Sequence, residues 1–410
     1  MTIATLPYHM VPIGTLAHPE PGSFKIGPFG STLKKDELVA NGIPVVGIEN
    51  VLANRFVPSY RKFITKAKFK QLSQYAIAPG DVLVTTMGTI GRAAVVPGES
   101  DIAIFDSHLF RMRVERSKVN PQFLCYAING YEALKKELRR MACGAIMAGL
   151  NTTILRACSI PLPSLTEQKR IVLILSKQMA VVEKARVAAE AQLEAAEVLA
   201  PAFFRAVFES VEAQRWPKKT LDEICEEKTG SRDPRMKPNQ QFCYVDISSV
   251  DNKTKRITEP KLLQGAEAPS RARQVIHVGD VIVSTTRPNL NAVALVPEEL
   301  NNQICSTGFC VLRPKAQLDS GYLFANVQSY GFVQNLTNVV KGALYPAVTD
   351  SQVRAQTILL PLLSEQKRIA LILAEKILSA KKVINQLQEQ LETINKMPAA
   401  LLRKAFNGEL

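Results

Sequence analysis

Histidine and tryptophan are scarce in this 410-residue chain, which holds four of the first and one of the second. Its seven cysteines, Cys125, Cys143, Cys158, Cys225, Cys243, Cys305 and Cys310, form no C-x-x-C pair and are an odd number spread over a long chain. Neither a zinc site nor a disulfide framework is indicated, and reduced thiols in a cytoplasmic protein are the expectation. No apolar run approaches the roughly 18 residues of a membrane span, and Met1 to Leu16 lacks a basic stretch followed by an apolar core. No membrane association is therefore expected.

Catalytic motifs are missing as well. There is no G-x-x-x-x-G-K-[ST], and Gly88 and Gly91 do not complete a G-x-G-x-x-G in a strand-helix-strand unit, so neither ATP nor a dinucleotide has a recognisable cradle. Asp233-Pro234-Arg235 and Arg287-Pro288-Asn289 do not match the Asp-Pro-Pro-Tyr or Asn-Pro-Pro-Tyr pattern of amino-methyltransferases, and Asp81 and Asp280 belong to turns, not to a nuclease carboxylate cluster. The chain reads as a binder without catalysis, metal or bound cofactor.

What is present is positive charge and a repeat. Lys and Arg outnumber Asp and Glu by 51 to 37, a formal charge of +14, which points to a polyanionic partner. The segment Pro161-Leu162-Pro163-Ser164-Leu165-Thr166-Glu167-Gln168-Lys169-Arg170-Ile171 returns as Pro361-Leu362-Leu363-Ser364-Glu365-Gln366-Lys367-Arg368-Ile369, with Glu167 and Glu365 separated by 198 positions. The same offset relates Arg205 to Arg403 and Phe208 to Phe406. A repeat without a gap over that length predicts a long helix in each copy, because one inserted residue would rotate every later side chain by about 100°. Thr166 and Ser364 are the expected N-caps.

In the second copy Leu373, Ile377, Ala380, Ile384, Leu387, Leu391 and Ile394 alternate spacings of four and three, the pattern of a coiled-coil seam. The first copy's seam is then Leu175, Met179, Val182, Arg186, Ala189, Leu193 and Ala196; Arg186 alone departs from it, its stem covering apolar surface while the guanidinium reaches water.

The globular parts repeat too. Pro79-Gly80-Asp81-Val82-Leu83-Val84-Thr85-Thr86 matches Val278-Gly279-Asp280-Val281-Ile282-Val283-Ser284-Thr285, a turn feeding a buried strand. A basic, Gly-containing loop lies upstream in each half, residues 22–35 and 228–237, and a polar loop follows each strand. Further strands are expected over 43–51, 105–114, 242–250 and 304–312, and helices over 121–141 and 321–340. The predicted fold class is α+β: two pseudo-symmetric α/β units (1–163 and 210–363) separated by an antiparallel coiled coil of two long helices (164–209 and 364–410). About 34 residues at 1.5 Å each give a rod of roughly 50 Å, against about 34 Å for one turn of B-DNA. Helix length would act as a ruler.

Loop residues suited to bases and phosphates are Lys25, Ser31, Lys34, Lys35, Thr86, Thr89 and Arg92 in the first half. In the second half they are Arg232, Arg235, Lys237, Thr286, Arg287, Asn289, Asn291, Lys341 and Tyr345. His108, between two strand-like phenylalanines, is expected to be structural.

Taken together, the doubled Pro-Leu-x-Ser-x-x-Glu-Gln-Lys-Arg-Ile segments, the long helices behind them, the Gly-Asp-Val-Leu-Val turn and strand, and the final Ala405-Phe406-Asn407-Gly408-Glu409-Leu410 resemble the specificity subunit of Type I restriction-modification systems. The resemblance implies two target recognition domains, each reading one half of a split DNA site. It also implies two methyltransferase subunits carrying S-adenosylmethionine and adenine N6 chemistry, and restriction and translocase subunits using ATP and Mg. The implied docks for these partners are Glu167, Gln168, Lys169, Arg170 and Ile171, and Glu365, Gln366, Lys367, Arg368 and Ile369, with the segments after Pro201 and Pro398. The first copy has two extra residues before its Glu and more Ala in its seam, so the two docks need not be equivalent. The alternatives are the recognition subunit of a related system with a single partner polypeptide, and a coiled-coil scaffold that binds protein. A scaffold would associate regardless of salt, unlike a binder of many phosphates.

Overall fold

The computed structural model describes residues 8–143, 152–340 and 346–409. The chain divides into two compact units, Met1–Glu190 with Glu389–Leu410, and Ala191–Gln388. Both long helices are split between the units at matching points, since Glu190 and Gln388 are one 198-residue repeat apart.

In the first unit an antiparallel sheet has the order Phe24–Ile26, Leu109–Met112, Val82–Thr85, Ala93–Val95. A second sheet joins Phe63–Ile64, Ile43–Val46 and Ile104–Phe105, and His9–Pro12 pairs with Ser159–Leu162. In the other unit Val293–Leu295, Val281–Ser284 and Phe309–Leu312 form one sheet, and Lys261–Gln264, Gln241–Val245, Gln303–Ser306 and Ala272–Ile276 another. There Lys218–Thr220 pairs with Thr357–Leu359. Val82, Leu83 and Val84, like Val281, Ile282 and Val283, are almost wholly buried, as strands covered on both faces should be.

Several expected elements are subdivided. The strands 105–114 and 304–312 are each two strands, Ile104–Phe105 with Leu109–Met112 and Gln303–Ser306 with Phe309–Leu312. In the first, the Asp106 carboxylate accepts from the His108 N–H at 3.0 Å and closes a turn. The helices 121–141 and 321–340 are likewise pairs, Pro121–Gly130 with Glu132–Cys143 and Ser320–Gln328 with Tyr330–Asn338. Ser329 caps the last of these by accepting from the Phe332 N–H. Residues 43–51 and 242–250 each leave the strand early for a short turn, Ile48–Asn50 and Ile247–Ser249. The sequence also predicts a second loop ahead of each long helix, at 144–151 and 342–349, of which 144–151 and 342–345 lie outside the described residues.

The first long helix runs Leu165–Glu197 and resumes as Leu199–Phe208; the second is continuous over Leu363–Phe406. The interruption at Val198 lies just upstream of Pro201, which has no N–H to donate to the carbonyl four residues back. The second helix accommodates Pro398.

Neither expected N-cap holds. Both helices begin ahead of Thr166 and Ser364, and it is the Ser164 hydroxyl that accepts from the Glu167 N–H, at 3.3 Å. A buried amide secures each first turn instead. Gln168 Nε2 donates to the Pro163 and Lys118 carbonyls at 2.9 and 3.1 Å, and its Oε1 accepts from the Asn120 N–H at 2.8 Å. Gln366 repeats this with the Pro361 and Gln317 carbonyls at 2.9 and 3.0 Å and the Asp319 N–H at 2.8 Å. Both side chains are 0% exposed.

The helix pairing is antiparallel in each unit. Ile171, Leu175 and Met179 from the start of the first helix share a core with Leu401, Leu402, Ala405 and Phe406 from the end of the second. In the other unit Ile369, Leu373 and Ile377 meet Phe203, Phe204, Val207 and Phe208. Along the seam Leu175, Ala189, Ala196, Leu373, Ala380 and Ile394 are buried, while Met179, Val182, Leu193, Ile377, Ile384, Leu387 and Leu391 are half-buried. Arg186 is half-buried as well, and its guanidinium folds back on Glu183 of its own helix at 2.7 and 2.9 Å.

Candidate nucleic-acid interface

The scaffold under each polar loop is a Gly-Asp turn. Gly80 and Gly279 sit at φ of +86° and +85°, a conformation glycine adopts without penalty. The following carboxylate closes the turn: Asp81 accepts from the Ala78 N–H at 2.9 Å and Asp280 from the His277 N–H at 2.8 Å. Each also holds an arginine from the neighbouring strand's exit, Arg113 at 3.3 Å and Arg313 at 2.7 Å. Burial pushes the Asp81 carboxyl up, against the pull of Arg113 and Arg111. Asp81 and Asp280 belong to turns, as read from sequence; the half-buried Arg113 and Arg313 that brace these buried carboxylates are partners that reading missed. Their recurrence just past the same strand in each half was the available signal.

Arg111 is a second missed group. It is 1% exposed, its Nη2 donates to the Gly22 carbonyl at 2.7 Å, and its guanidinium lies 5.3 Å from the Phe105 ring. Burial brings its pKa down to about 10. It ties the basic loop of the first unit to the sheet.

Glycine lets the basic loops approach closely. A Cβ on Gly27 would stand 2.0 Å from the Asp106 carbonyl oxygen, and one on Gly265 would stand 2.2 Å from that of Lys237. Beyond Gly27 in the first unit's loop, Ser31, Lys34 and Lys35 are exposed. Lys25 is engaged within its unit: Nζ donates to Gln74 and lies 4.7 Å over the Tyr75 ring, and burial followed by Arg111 lowers its pKa.

On the polar loop of the first unit Arg92 is exposed. Thr86 is 3% exposed and its N–H donates to the His108 carbonyl at 2.8 Å, which makes it a support of the loop and not a surface contact. Thr89 is half-buried, its Oγ1 without a hydrogen-bond partner among the described residues. His108 is partly exposed, its ring 3.5 Å from Asp106.

In the second unit Arg232 and Lys237 are exposed and line one cavity of 280 Å³ with Gln240 and Asn302. Arg232 also donates to the Asn302 carbonyl at 2.8 Å. Arg235 is bound to Asp233 at 2.8 Å, and this bond holds the Asp233 carboxyl down at about 2. Arg287 and Asn289 are exposed, whereas Thr286 and Asn291 are half-buried. Lys341 and Tyr345 lie outside the described residues.

The ten side chains assigned to partner docking fall into two groups. Gln168, Gln366, Ile171 and Ile369 are buried in their own units, so their surface assignment is corrected: they fasten each helix to its globular neighbour. Lys169 and Lys367 are exposed, and Arg170 and Arg368 reach back to Glu167 and Glu365 at 2.7 and 2.6 Å on the surface.

Among the described residues, no group of three or more His, Cys, Asp or Glu is placed to hold a metal ion, and no helix is long and apolar enough to cross a membrane. Among the cysteines whose side chains are described, Cys125, Cys158, Cys225, Cys243, Cys305 and Cys310 are free thiols, and burial pushes Cys125, Cys158, Cys225 and Cys310 up to about 12.

Comparison with known proteins places this scaffold. A protein of Methanocaldococcus jannaschii named as the MjaX type I restriction enzyme specificity subunit is 22% identical over 398 residues, 90% of this chain and 87% of its own. The StySPI specificity subunit of Salmonella potsdam is 27% identical over 144 residues, 34% of this chain and 31% of its own. A chain from a solved type I R-M system structure superposes with a TM-score of 0.72 at 20% identity, covering 99% of both chains. The HsdS subunit of Thermoanaerobacter tengcongensis gives 0.61 at 20% identity, covering 99% of this chain and 98% of its own. The profile described as Type I restriction modification DNA specificity domain matches twice, at residues 24–194 and 214–393. With one such domain in each unit and the long helices carrying the seam, the chain belongs to the Type I restriction-modification specificity subunit family.

Proposed function

We propose that this chain is the non-catalytic DNA reader of a restriction-modification complex, each unit recognising one half of a bipartite site while the helices set the gap between halves. Two methyltransferase subunits, carrying S-adenosylmethionine, dock on it beside the exposed Lys169 and Lys367, and restriction subunits supply ATP- and Mg-dependent work. One observation carries this reading: the two units build the same Gly-Asp turn, strand and braced arginine, then place different side chains on the loops that follow. A duplicated scaffold with divergent loops suits two readers of different sequences.

The experiment is to purify the chain with its methyltransferase subunits and map methylated adenines on DNA incubated with the complex and with the chain alone. The complex is expected to modify a split site and the chain alone nothing; methyl transfer by the isolated chain would sink the proposal. Affinity for DNA should fall steeply with added salt as condensed counterions are no longer released to advantage. Salt-independent association would point to a protein scaffold instead.

Helix length offers a sharper test. Inserting one heptad after Glu190 and another after Gln388 keeps the seam in phase and adds about 10 Å of helix. The unread gap in the methylated site should widen by about three base pairs at 3.4 Å each, with both half-site sequences unchanged. A gap of the original length would refute the ruler.

A further inference from the structure

Two loops occupy the same place in the two units. Val84 pairs with Ala93 as Val283 pairs with Val293, so residues 86–92 and 285–292 are equivalent connections between equivalent strands. Each contains two residues in the left-handed region. In the first unit they are Gly88 and Gly91, at φ of +70° and +81°; in the second they are Arg287 and Asn291, at +49° and +46°.

Glycine takes that conformation freely and Asn tolerates it, but an arginine is opposed by its Cβ. Arg287 also precedes Pro288, which disfavours helical backbone of the residue before it. The surroundings nevertheless fix it. The Arg287 N–H donates to the Pro346 carbonyl at 2.8 Å, its own carbonyl accepts from the Leu290 N–H at 2.9 Å, and Pro288 is buried.

A brace holds the other end. Lys255, at the tip of the hairpin Val250–Asp251 and Arg256–Ile257, donates through Nζ to the Asn291 carbonyl. The adjoining Thr254 carbonyl accepts from Lys381 of the second long helix at 3.0 Å. The loop is thus tied through the hairpin to a rigid element of the same unit. Meanwhile the Arg287 side chain is exposed and makes no ion pair or side-chain hydrogen bond among the described residues. Among the described residues nothing in the packing calls for an arginine there. Backbone strain held beneath an exposed guanidinium points to a role for that side chain outside the unit's own packing.

Resting on the proposed function, we infer that Arg287 is a specificity-determining residue of the second unit, its guanidinium reading the O6 and N7 edge of a guanine in that unit's half-site, with Lys255 as the positioning residue of its loop. A bidentate Arg–guanine contact supplies sequence information that a phosphate contact does not.

The test uses the full chain with its methyltransferase subunits and DNA libraries randomised at the half-sites. Absence of any sequence-specific methylation by the unaltered complex would remove the proposed function itself and leave this inference without a basis. Given a split site, Arg287→Gly should relax discrimination at one G·C pair of one half-site by about ten- to hundredfold, leave the other half-site unaltered, and raise the melting temperature by about 2–4 °C as strain is relieved. Arg287→Lys keeps the charge and the strain but cannot present the fork, so it should lose discrimination without the thermal gain. Arg287→Asn, better suited to the conformation, should lose discrimination in a folded protein. Unchanged discrimination in Arg287→Gly, a lowered melting temperature, or a half-site lacking any G·C pair would each overturn the assignment.

Discussion

Gln366→Ala is expected to destabilise the second unit by about 3 kcal/mol, and Gln168→Ala the first by a similar amount. Each truncation strands one backbone N–H and two carbonyls away from water, and a buried polar group left unpaired costs about 1–3 kcal/mol. The Asp319 N–H and the Gln317 and Pro361 carbonyls are the groups orphaned in one case, the Asn120 N–H and the Lys118 and Pro163 carbonyls in the other. Hydrogen exchange followed through the full chain would resolve which unit opens. A loss under about 1 kcal/mol at either position would mean that water replaces the amide and that the anchor is dispensable. By contrast Lys367→Ala, on the same turn but exposed, should leave stability unchanged while weakening capture of the methyltransferase subunit.

Gly27→Ala should cost the first unit about 3 kcal/mol, at the upper end of ordinary overpacking. The new Cβ meets a backbone oxygen, that of Asp106, and no flexible side chain is there to yield. Relief requires either the basic loop or the 106–109 turn to move, and the hydrogen bond from the Gly27 N–H to the Leu109 carbonyl, 3.1 Å long, goes with it. The consequence for function is selective: one half-site should be read less well and the other normally, seen as loss of methylation at sites differing only in that half. Equal damage to both halves would argue that the units do not read independently. Chemical denaturation of the full chain gives the stability term.

The duplication made the scaffold legible in the sequence. Because the offset stays at 198, the seam of one helix could be written down from the other, and the Gly-Asp turn could be matched across halves of otherwise different sequence. Residues whose role depends on distant partners escaped. Gln168 stands in a run of charged residues and looks solvated, but its amide partners at Lys118 and Asn120 lie 50 and 48 positions upstream, and no local pattern announces them. Arg111 sits in an apolar strand and resembles a surface interruption, whereas three remote carbonyls, those of Gly22, Gln74 and Ala76, receive its guanidinium. Among the loop candidates composition could not rank Thr86 below Arg92; burial separates them. Nor could it show that Arg287 is held with a positive φ, since no sequence preference places arginine there.

The exchange of helix ends has a consequence in time. The core of the first unit is closed by Leu402, Ala405 and Phe406, and the 198 residues of the second unit, Ala191–Gln388, lie between them and the rest of that unit. A ribosome adding about 5–20 residues per second needs roughly 10–40 s to cover that distance. The half made first is therefore the half completed last: it waits with the apolar start of its helix uncovered while the second unit, continuous in the chain, closes ahead of it.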